Sequence, residues 1–482
     1  MSFNFKNYIQ PDNKIQTMIN NGEAPDVIKT TQMEDRGICF DKKKYVIEPS
    51  TFITYANTRT VSKENDQGVW FYNYVDKHYD LLDEKDCKKI LFKLITEADP
   101  KWWTPAMQKN YYSFFVNQIV AFQNTGTEEG VLQFNNGIFK FEEQPAELVT
   151  PSPEYYCHFR IPYDYDAEAE CPNFINFLND IFDGDKERIQ LIQEIMGATL
   201  YYCKCMQNLI VFLGNGSNGK SVLANMIKFM LGAKNVSSIP LDKLSGSQFA
   251  RQNLDKKLLN ISSEVDPEKI YSTADLKALT GGDSVEVERK YQNSYTAEIH
   301  AKYILLANDM IQTADYSDGF YRRLIIIPFD EEYKKLEPGA EKVDGVKYQD
   351  VTLEETLKEE LPGIFNFAYE GLMRFVNQDY QFTVSTACEK AMDRYKNEHN
   401  VVKAFLNEAV DATGNKKDTV RSSDIFPAFE EFCRENHYYK QSRNITKIKF
   451  FKMLNQAIDE TSSLISKKKH NDSFYFTGMK LK

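Results

Sequence analysis

The sequence predicts an α/β protein: a parallel sheet flanked by helices, preceded by an α+β region and followed by a small, basic, winged-helix-like region. Three observations predict it. Residues 207–221 pass from an apolar run, Leu209–Leu213, through a glycine-rich turn into Val222–Leu231, which has the composition of a helix. From about Met206 to Phe329, short β-rich runs alternate with helical stretches, the pattern of a parallel sheet with both faces covered. The end of the chain then changes character. Lys440–Lys482 holds ten Lys or Arg against three Asp or Glu, a local +7 in a chain of net charge −11, which leaves −18 on the remainder.

Taken in order, residues 1 to about 60 are polar with few periodic signals. Trp70–Tyr79 reads as two strands around a turn at Asp76-Lys77, and Asp83–Glu97 places Cys87, Ile90, Leu91 and Leu94 at helical spacing. Val131–Phe141 reads as a hairpin turning at Asn135-Asn136-Gly137, and Pro145–Pro153 is a breaker-rich connection. Phe174–Tyr202 reads as two helices interrupted at Asp183-Gly184-Asp185. Buried strands are expected at Leu209–Leu213, Lys257–Ser262, Tyr303–Ala307 and Leu324–Pro328. Glu331–Asp350 is charged and loop-like, and Glu354–Val376 is helical apart from Pro362-Gly363. Val401–Val410 and Ser423–Glu435 have helical patterns, and Thr446–Ile458 is expected to turn Ile448, Phe451, Leu454 and Ile458 to one face. Leu464-Ile465 and Phe474–Phe476 are expected to form a two-stranded wing around Lys469–Asp472, and helices followed by a basic hairpin suit a DNA-binding winged helix. The expected division is therefore 1–190, 191–340, a helical connection 341–385, and 386–482.

Composition narrows the class. An apolar content of 42% and an aromatic content of 13% support real cores and exclude a disordered chain. No apolar run reaches the roughly 18–20 residues that cross a bilayer, and Met1–Gln16 lacks a signal-peptide apolar segment, so the expectation is a cytoplasmic protein. The eight cysteines include no C-x-x-C pair; reduced thiols and no zinc site are expected, with Cys203 and Cys205 flanking Lys204.

The turn after Leu213 completes the pattern G-x-x-x-x-G-K-[ST] in Gly214, Asn215, Gly216, Ser217, Asn218, Gly219, Lys220 and Ser221. A strand before it and a helix after it are the context in which such a loop cradles phosphate. Backbone N–H groups turn inward where a side chain would block them, and the helix N-terminus adds partial positive charge. Lys220 is placed to reach the outer phosphates of ATP, and the Ser221 hydroxyl to ligate Mg²⁺. Lys257–Glu264 reads as a strand ending in an acid. Glu264 is the candidate for polarising the attacking water and assisting the metal, with Ser263 where many ATPases carry Asp and Asp266 as a further acid. After Gly281-Gly282-Asp283, the alternating stretch from Val285 turns at Arg289, Lys290 and Tyr291, side chains suited to phosphates and to stacking on bases. The strand Tyr303–Ala307 ends in Asn308, a carboxamide able to orient water or bind the terminal phosphate. Arg322 and Arg323 precede the apolar run Leu324–Pro328 and are not explained by core packing. Each of these features taken alone also has a purely structural reading.

In this order, the segments resemble the superfamily 3 DNA helicases of viruses, phages and plasmids, in particular the poxvirus-type and phage/plasmid primase-helicase group. Gly214–Ser221 resembles that group's Walker A loop, Glu264 its Walker B acid, Gly281-Gly282-Asp283 the opening of its DNA-contacting motif, Asn308 its sensor, and Arg322-Arg323 its arginine-finger segment. Tyr155–Phe182, with Ile161–Asp166 and Cys171-Pro172, resembles the region before the ATPase in the same group. The resemblance implies an AAA+ core, a homo-oligomeric ring (usually a hexamer), ATP with Mg²⁺, and 3′→5′ movement on single-stranded DNA, in the host cytoplasm if phage or virus encoded. Arg323, adjoining the strand, is the slightly preferred finger. No acidic centre for priming is evident in residues 1–150, so the expectation is a helicase without primase activity. Two other classes remain open: an origin-binding initiator in which ATP regulates assembly, and a P-loop phosphotransferase acting on a small molecule.

Overall fold

The structure, a computed structural model, describes residues 3–482 except 42–43, 66–67, 104, 122–129, 142–146, 156, 245–250, 264–269, 272, 283, 288–294, 314–317, 337–342, 400, 437, 439–441, 443–444, 462–463 and 471–472. The chain divides into two compact units, Met1–Tyr165 and Asp166–Lys482. Both helices of the Phe174–Tyr202 segment therefore belong to the second unit.

The first unit is α+β. Its three-stranded antiparallel sheet, Ser62–Asn65, Gly68–Asn73 and His78–Leu82, pairs Tyr72 with Tyr79 across the turn that the sequence marks. Helix Glu84–Thr96 starts at Asp83, whose carboxylate accepts the Asp86 N–H, and buries Cys87, Ile90, Leu91 and Leu94. These pack with Phe52, Phe71, Trp102 and Phe115 in one core. Arg36 and Arg59 are also buried there. Both donate to the Tyr55 hydroxyl, and Glu97 pairs with both guanidiniums, so neither charge is stranded. A second antiparallel meander follows at Val131–Gln133, Ile138–Lys140 and Glu147–Val149.

The second unit opens with α1 (Pro172–Ile181) and α2 (Lys186–Leu200). Asp183 and Gly184 between them have positive φ, and Asp185 caps α2. The sheet is built from β1 (Leu209–Leu213), β2 (Val236–Ser237), β3 (Leu259–Ser262), β4 (Lys302–Ala307) and β5 (Leu324–Pro328), with α3 (Lys220–Leu231) after β1. Its order is β2-β3-β4-β1-β5, and every pair is parallel. Near-continuous apolar strands buried on both faces are what a parallel sheet requires. The four strands expected from the sequence are all present, and β2 joins them at one edge. Between β3 and β4 lies the short hairpin Ser284–Val287 with Tyr295–Glu298. Its tip, with Arg289, Lys290 and Tyr291, lies outside the described residues, as does Asp283.

Helix α4 (Leu361–Asn377) packs along α2. Pro362 stands in its first turn, where a missing N–H costs nothing, so the proline starts this helix instead of interrupting a longer one. Glu194 on α2 is fully buried and accepts from the Thr383 N–H at 2.7 Å and hydroxyl at 2.6 Å, pinning the chain before α5 (Thr386–His399). Helix α5 lies on β5, and its Tyr395 hydroxyl donates to the Ile311 carbonyl.

The chain ends in a small module: α6 (Val401–Glu408), β6 (Thr419–Arg421), α7 (Ser422–Glu435), α8 (Lys447–Thr461), β7 (Ser466–His470) and β8 (Ser473–Thr477). The three strands form an antiparallel sheet in the order β6-β8-β7, one strand more than the expected wing. Phe405, Ile425, Phe429, Phe450, Leu454 and Phe476 fill its core. One expectation fails here. Ile448 is 87% exposed, and Phe450 takes the core position. At about 100° per residue, Ile448 lies about 135° round the helix from the middle of the face buried by Phe450, Leu454, Ala457 and Ile458. Cys203 and Cys205 are joined as a disulfide, where reduced thiols were expected; two cysteines one residue apart in a turn bring their sulfurs together locally. The other six are free, four of them buried. Among the described residues no helix is long and apolar enough to cross a membrane.

Candidate nucleotide-binding site

A parallel sheet delivers the ends of all its strands to one edge. Leu213 of β1 pairs with Ala307 of β4 on one side and Pro328 of β5 on the other, so Gly214, Asn308 and Phe329 each stand one residue beyond a paired end. The Gly214 N–H donates to the Ala307 carbonyl, and the Phe329 N–H to the Leu213 carbonyl. Ser263 leaves β3 at the same edge. Its neighbour Glu264 and Asp266 lie outside the described residues.

The loop from Gly214 to Gly219 is packed tightly enough to exclude larger side chains. A Cβ on Gly214 would sit 2.2 Å from Asn218 Nδ2 and 2.5 Å from the Phe329 carbonyl oxygen. Gly219 has φ of +89°, a left-handed conformation that few other residues adopt, and it rests against Ile181 of α1. Asn218 is buried and donates from Nδ2 to the Phe329 carbonyl at 3.2 Å. Lys220 opens α3 and is only 6% exposed. Its ammonium donates to the Gly214 carbonyl and, at 3.0 Å, to Asn218 Oδ1. Burial lowers its pKa below the usual lysine value, because a charge with few water neighbours is disfavoured. Two neutral oxygens are weak partners for this cation, so an anion entering the loop gains a strong one.

A cavity of about 1000 Å³ opens in front of the loop. Gly216–Val222, Ser263, Asn308 and Asp309 line its inner end, and Ser221 and Asn308 are exposed. Phe177, Asp180 and Ile181 of α1 form one wall. Tyr333, Tyr348 and Gln349 of the segment read as a charged loop also line the cavity, with Val351, Leu353 and Thr356 just beyond that segment. That segment is strapped across the loop. The Tyr333 N–H donates to the Ser217 carbonyl at 2.8 Å, and Gln349 Nε2 to Ser217 Oγ at 3.1 Å. The Tyr333 hydroxyl donates to Asp180 Oδ2, while Lys347 bridges Asp180 and Glu331 at 3.0 Å each. Burial and the neighbouring Asp180 carboxylate push the Tyr333 pKa well up, which keeps it a donor. Asp180, Tyr333, Lys347 and Gln349 were missed in the sequence. Nothing local marks a tyrosine as the partner of an aspartate 153 positions away.

The cavity suits a nucleotide in size, in having apolar and aromatic walls around a few polar groups, and in ending on a buried cation. For Mg²⁺, the inner end of the cavity offers the exposed Ser221 hydroxyl beside Lys220 and the Asp309 carboxylate as oxygen donors. No cluster of three His, Cys, Asp or Glu among the described residues forms a closed metal site. A phosphate-held cation completed by water fits this; a protein-caged one does not.

Arg322 and Arg323 are not at this edge. They precede β5, whose first residue Leu324 pairs with Leu209, so about 13 Å of strand separates them from the loop at 3.3 Å per residue. Arg323 is half-buried and donates to the Gly319 carbonyl at 2.7 Å. Arg322 is exposed and lines a second cavity of about 560 Å³ with Phe382, Cys388 and Met392.

Comparison with known proteins bears on this arrangement. Residues 50–183 match the family described as "D5 N terminal like", and residues 212–323 a family of unknown function, DUF5906. The chain is 23% identical over 363 residues to "Putative helicase L207/L206" of Acanthamoeba polyphaga mimivirus, covering 73% of this chain and 35% of that protein. It is 19% identical over 369 residues to "Putative primase C962R" of African swine fever virus, covering 72% and 38%. It thus spans little more than a third of these relatives. Among solved structures, the apo C-terminal region of NrS-1 shares the fold, with a TM-score of 0.50, 13% identity, and coverage of 87% of this chain and 96% of that one.

Proposed function

We propose that this chain, a member of the phage and viral primase-helicase group, is an ATP-driven DNA helicase with an AAA+ core of the superfamily 3 type. The observation that carries this reading is the split of the site. A phosphate loop with a buried, weakly partnered lysine stands at one edge of the sheet, and an exposed arginine stands at the other. Within one subunit Arg322 is far from the loop. In a ring it faces outward toward a neighbour's cavity, where such an arginine is worth about 10³–10⁵ in rate. Its exposure makes Arg322 a better finger than Arg323.

Mg²⁺-bound ATP supplies the phosphoanhydride whose hydrolysis drives movement. Lys220 turns from the Gly214 carbonyl to the outer phosphates, and the N–H groups of Gly216–Ser221 cradle the others. The Ser221 hydroxyl holds the metal. Glu264 takes the proton of the attacking water, which Asn308 orients. Asp180, Tyr333 and Lys347 hold the strap over the nucleotide and limit water entry. Arg289 and Lys290 grip DNA phosphates in the ring's channel, with Tyr291 against the bases, and successive hydrolysis draws single-stranded DNA through in the 3′→5′ sense.

The test is ATP hydrolysis with and without single-stranded DNA, on material sized by light scattering. DNA-stimulated hydrolysis by a ring-sized assembly supports the reading. A monomer whose hydrolysis ignores DNA sinks it, and phosphoryl transfer to a small molecule would replace it. For the shared site, Arg322→Ala subunits mixed with Glu264→Gln subunits should recover part of the activity that neither has alone. No recovery at any ratio would exclude a finger acting between subunits.

A second role rests on the basic C-terminal module. Of the expected region 386–482, α5 packs on β5 and stays with the motor, while residues 401–482 bind duplex DNA at an origin, so that the motor is also its own initiator. Deleting 401–482 should remove duplex binding and leave fork unwinding intact.

A further inference from the structure

The isoleucine expected in the core of the C-terminal module stands in solvent instead. Ile448 is 87% exposed in the first turn of α8, with Lys447 before it and Lys452 one turn on, both exposed. An apolar side chain this open contributes nothing to folding. It sits on the stripe opposite the buried Phe450 and Leu454, with Lys452 about 40° and Asn455 about 20° away at 100° per residue. The one acid on that stripe among residues with described surroundings is Asp459, about three turns further along.

The sheet beside the helix carries the same sign. In the register β6-β8-β7, Arg421, Tyr475 and Lys468 stand side by side on one face. Lys467 lies over the Phe474 ring at 4.6 Å, and Lys467, Lys468 and Lys469 are all exposed. The stretch from Lys440 onward carries +7 against −18 for the rest of the chain, so a polyanion is drawn to this end.

We infer that α8 enters the major groove of duplex DNA by its N-terminal turns and that Ile448 reads the C5-methyl groups of thymine. The major groove, about 12 Å wide, admits a helix of this diameter, and the thymine methyl is the one apolar feature on its floor. Lys447 and Lys452 flank the contact and reach the phosphates on either side. Lys467 and Lys468, on opposite faces of the edge strand β7, reach phosphates from either side of it. Ile448 is among the most exposed large apolar side chains described, and the lysines beside it add the charge that draws a polyanion to it. The inference rests on the duplex-binding role proposed above and specifies which bases it selects.

The test uses the full chain. Duplexes are enriched from a random pool, and each thymine of the enriched site is then replaced by deoxyuridine, which removes only the methyl. At one or two positions the replacement should weaken wild-type binding about fourfold, the worth of one buried methyl. Ile448→Ala should bind both duplexes equally. Lys467→Ala and Lys468→Ala should weaken all sequences alike, each lowering the salt slope by about one. ATP hydrolysis by Ile448→Ala should match wild type, so failure of the helicase reading is scored separately. The inference is overturned if no sequence is enriched, if deoxyuridine has no effect at any position, or if either strand alone binds as tightly as the duplex.

Discussion

Lys220 and the lysines of the C-terminal module are the same residue put to opposite uses. Lys220 is almost wholly buried, held by a carbonyl and a carboxamide, and shifted toward neutrality by desolvation. Lys447, Lys452, Lys467 and Lys468 stand in water. A buried cation interacts strongly with one anion at one point and is little screened by salt. Exposed cations contribute small, additive, salt-sensitive amounts over a broad surface. The first arrangement suits a triphosphate in a fixed pose; the second suits a polymer of phosphates.

The comparison breaks most readily at Lys220. Lys220→Ala should lower ATP turnover by about 10³-fold and abolish unwinding, read by phosphate release and fork separation. Retained unwinding by a clean preparation would end the helicase reading. Next in size, Arg322→Ala should cost about 10³-fold in hydrolysis with ATP binding within about twofold of wild type. Arg323→Ala, which removes a bond to the Gly319 carbonyl, should chiefly lower the melting temperature. The reverse pattern would move the finger to Arg323, the residue slightly favoured by its place in the sequence.

At the basic face, Lys447→Ala with Lys452→Ala should weaken duplex binding about tenfold near 0.1 M salt and flatten its salt dependence, leaving the KM for ATP unchanged. Tyr333→Phe removes the bond to Asp180 and should weaken ATP about fivefold, the worth of one hydrogen bond. The smallest effect is in pH. Lys220 loses its proton more readily in the free protein than an exposed lysine does, so ATP affinity should fall as pH rises toward the usual lysine pKa of 10.5. The unfolded chain holds that proton longer than the folded one. Stability attributable to Lys220 therefore rises with pH between its lowered pKa and 10.5, where the folded state no longer carries a buried charge. Urea midpoints of wild type and Lys220→Met across that range should converge from a wild-type deficit at lower pH. A constant difference would show that the lysine is not desolvated.

The motifs that depend on neighbours in the chain were legible. Leu209–Leu213, the loop after it and α3 follow from apolar run, glycines and helix composition, because strand, turn and helix are set by interactions a few residues apart. The same holds for the helix after Asp83 and, two residues out of place in its first strand, for the wing hairpin. The walls of the cavity were not legible. Tyr333 meets Asp180, and Gln349 meets Ser217, only after the sheet has brought α1 and the strap to the phosphate loop.

By itself, then, the sequence determined a glycine-rich loop between a buried strand and a helix, four strands of a parallel sheet, and a basic helix-and-hairpin ending. Those are local consequences of side-chain period, glycine placement and charge. Tertiary structure alone decided that Asn308 lines the same cavity as Lys220, that Arg322 stands at the opposite edge, and that Ile448 faces water while Phe450 fills the core. Strand order and helix rotation settle these, and both are chosen by the total apolar surface that the packed elements bury, which no short stretch of sequence contains.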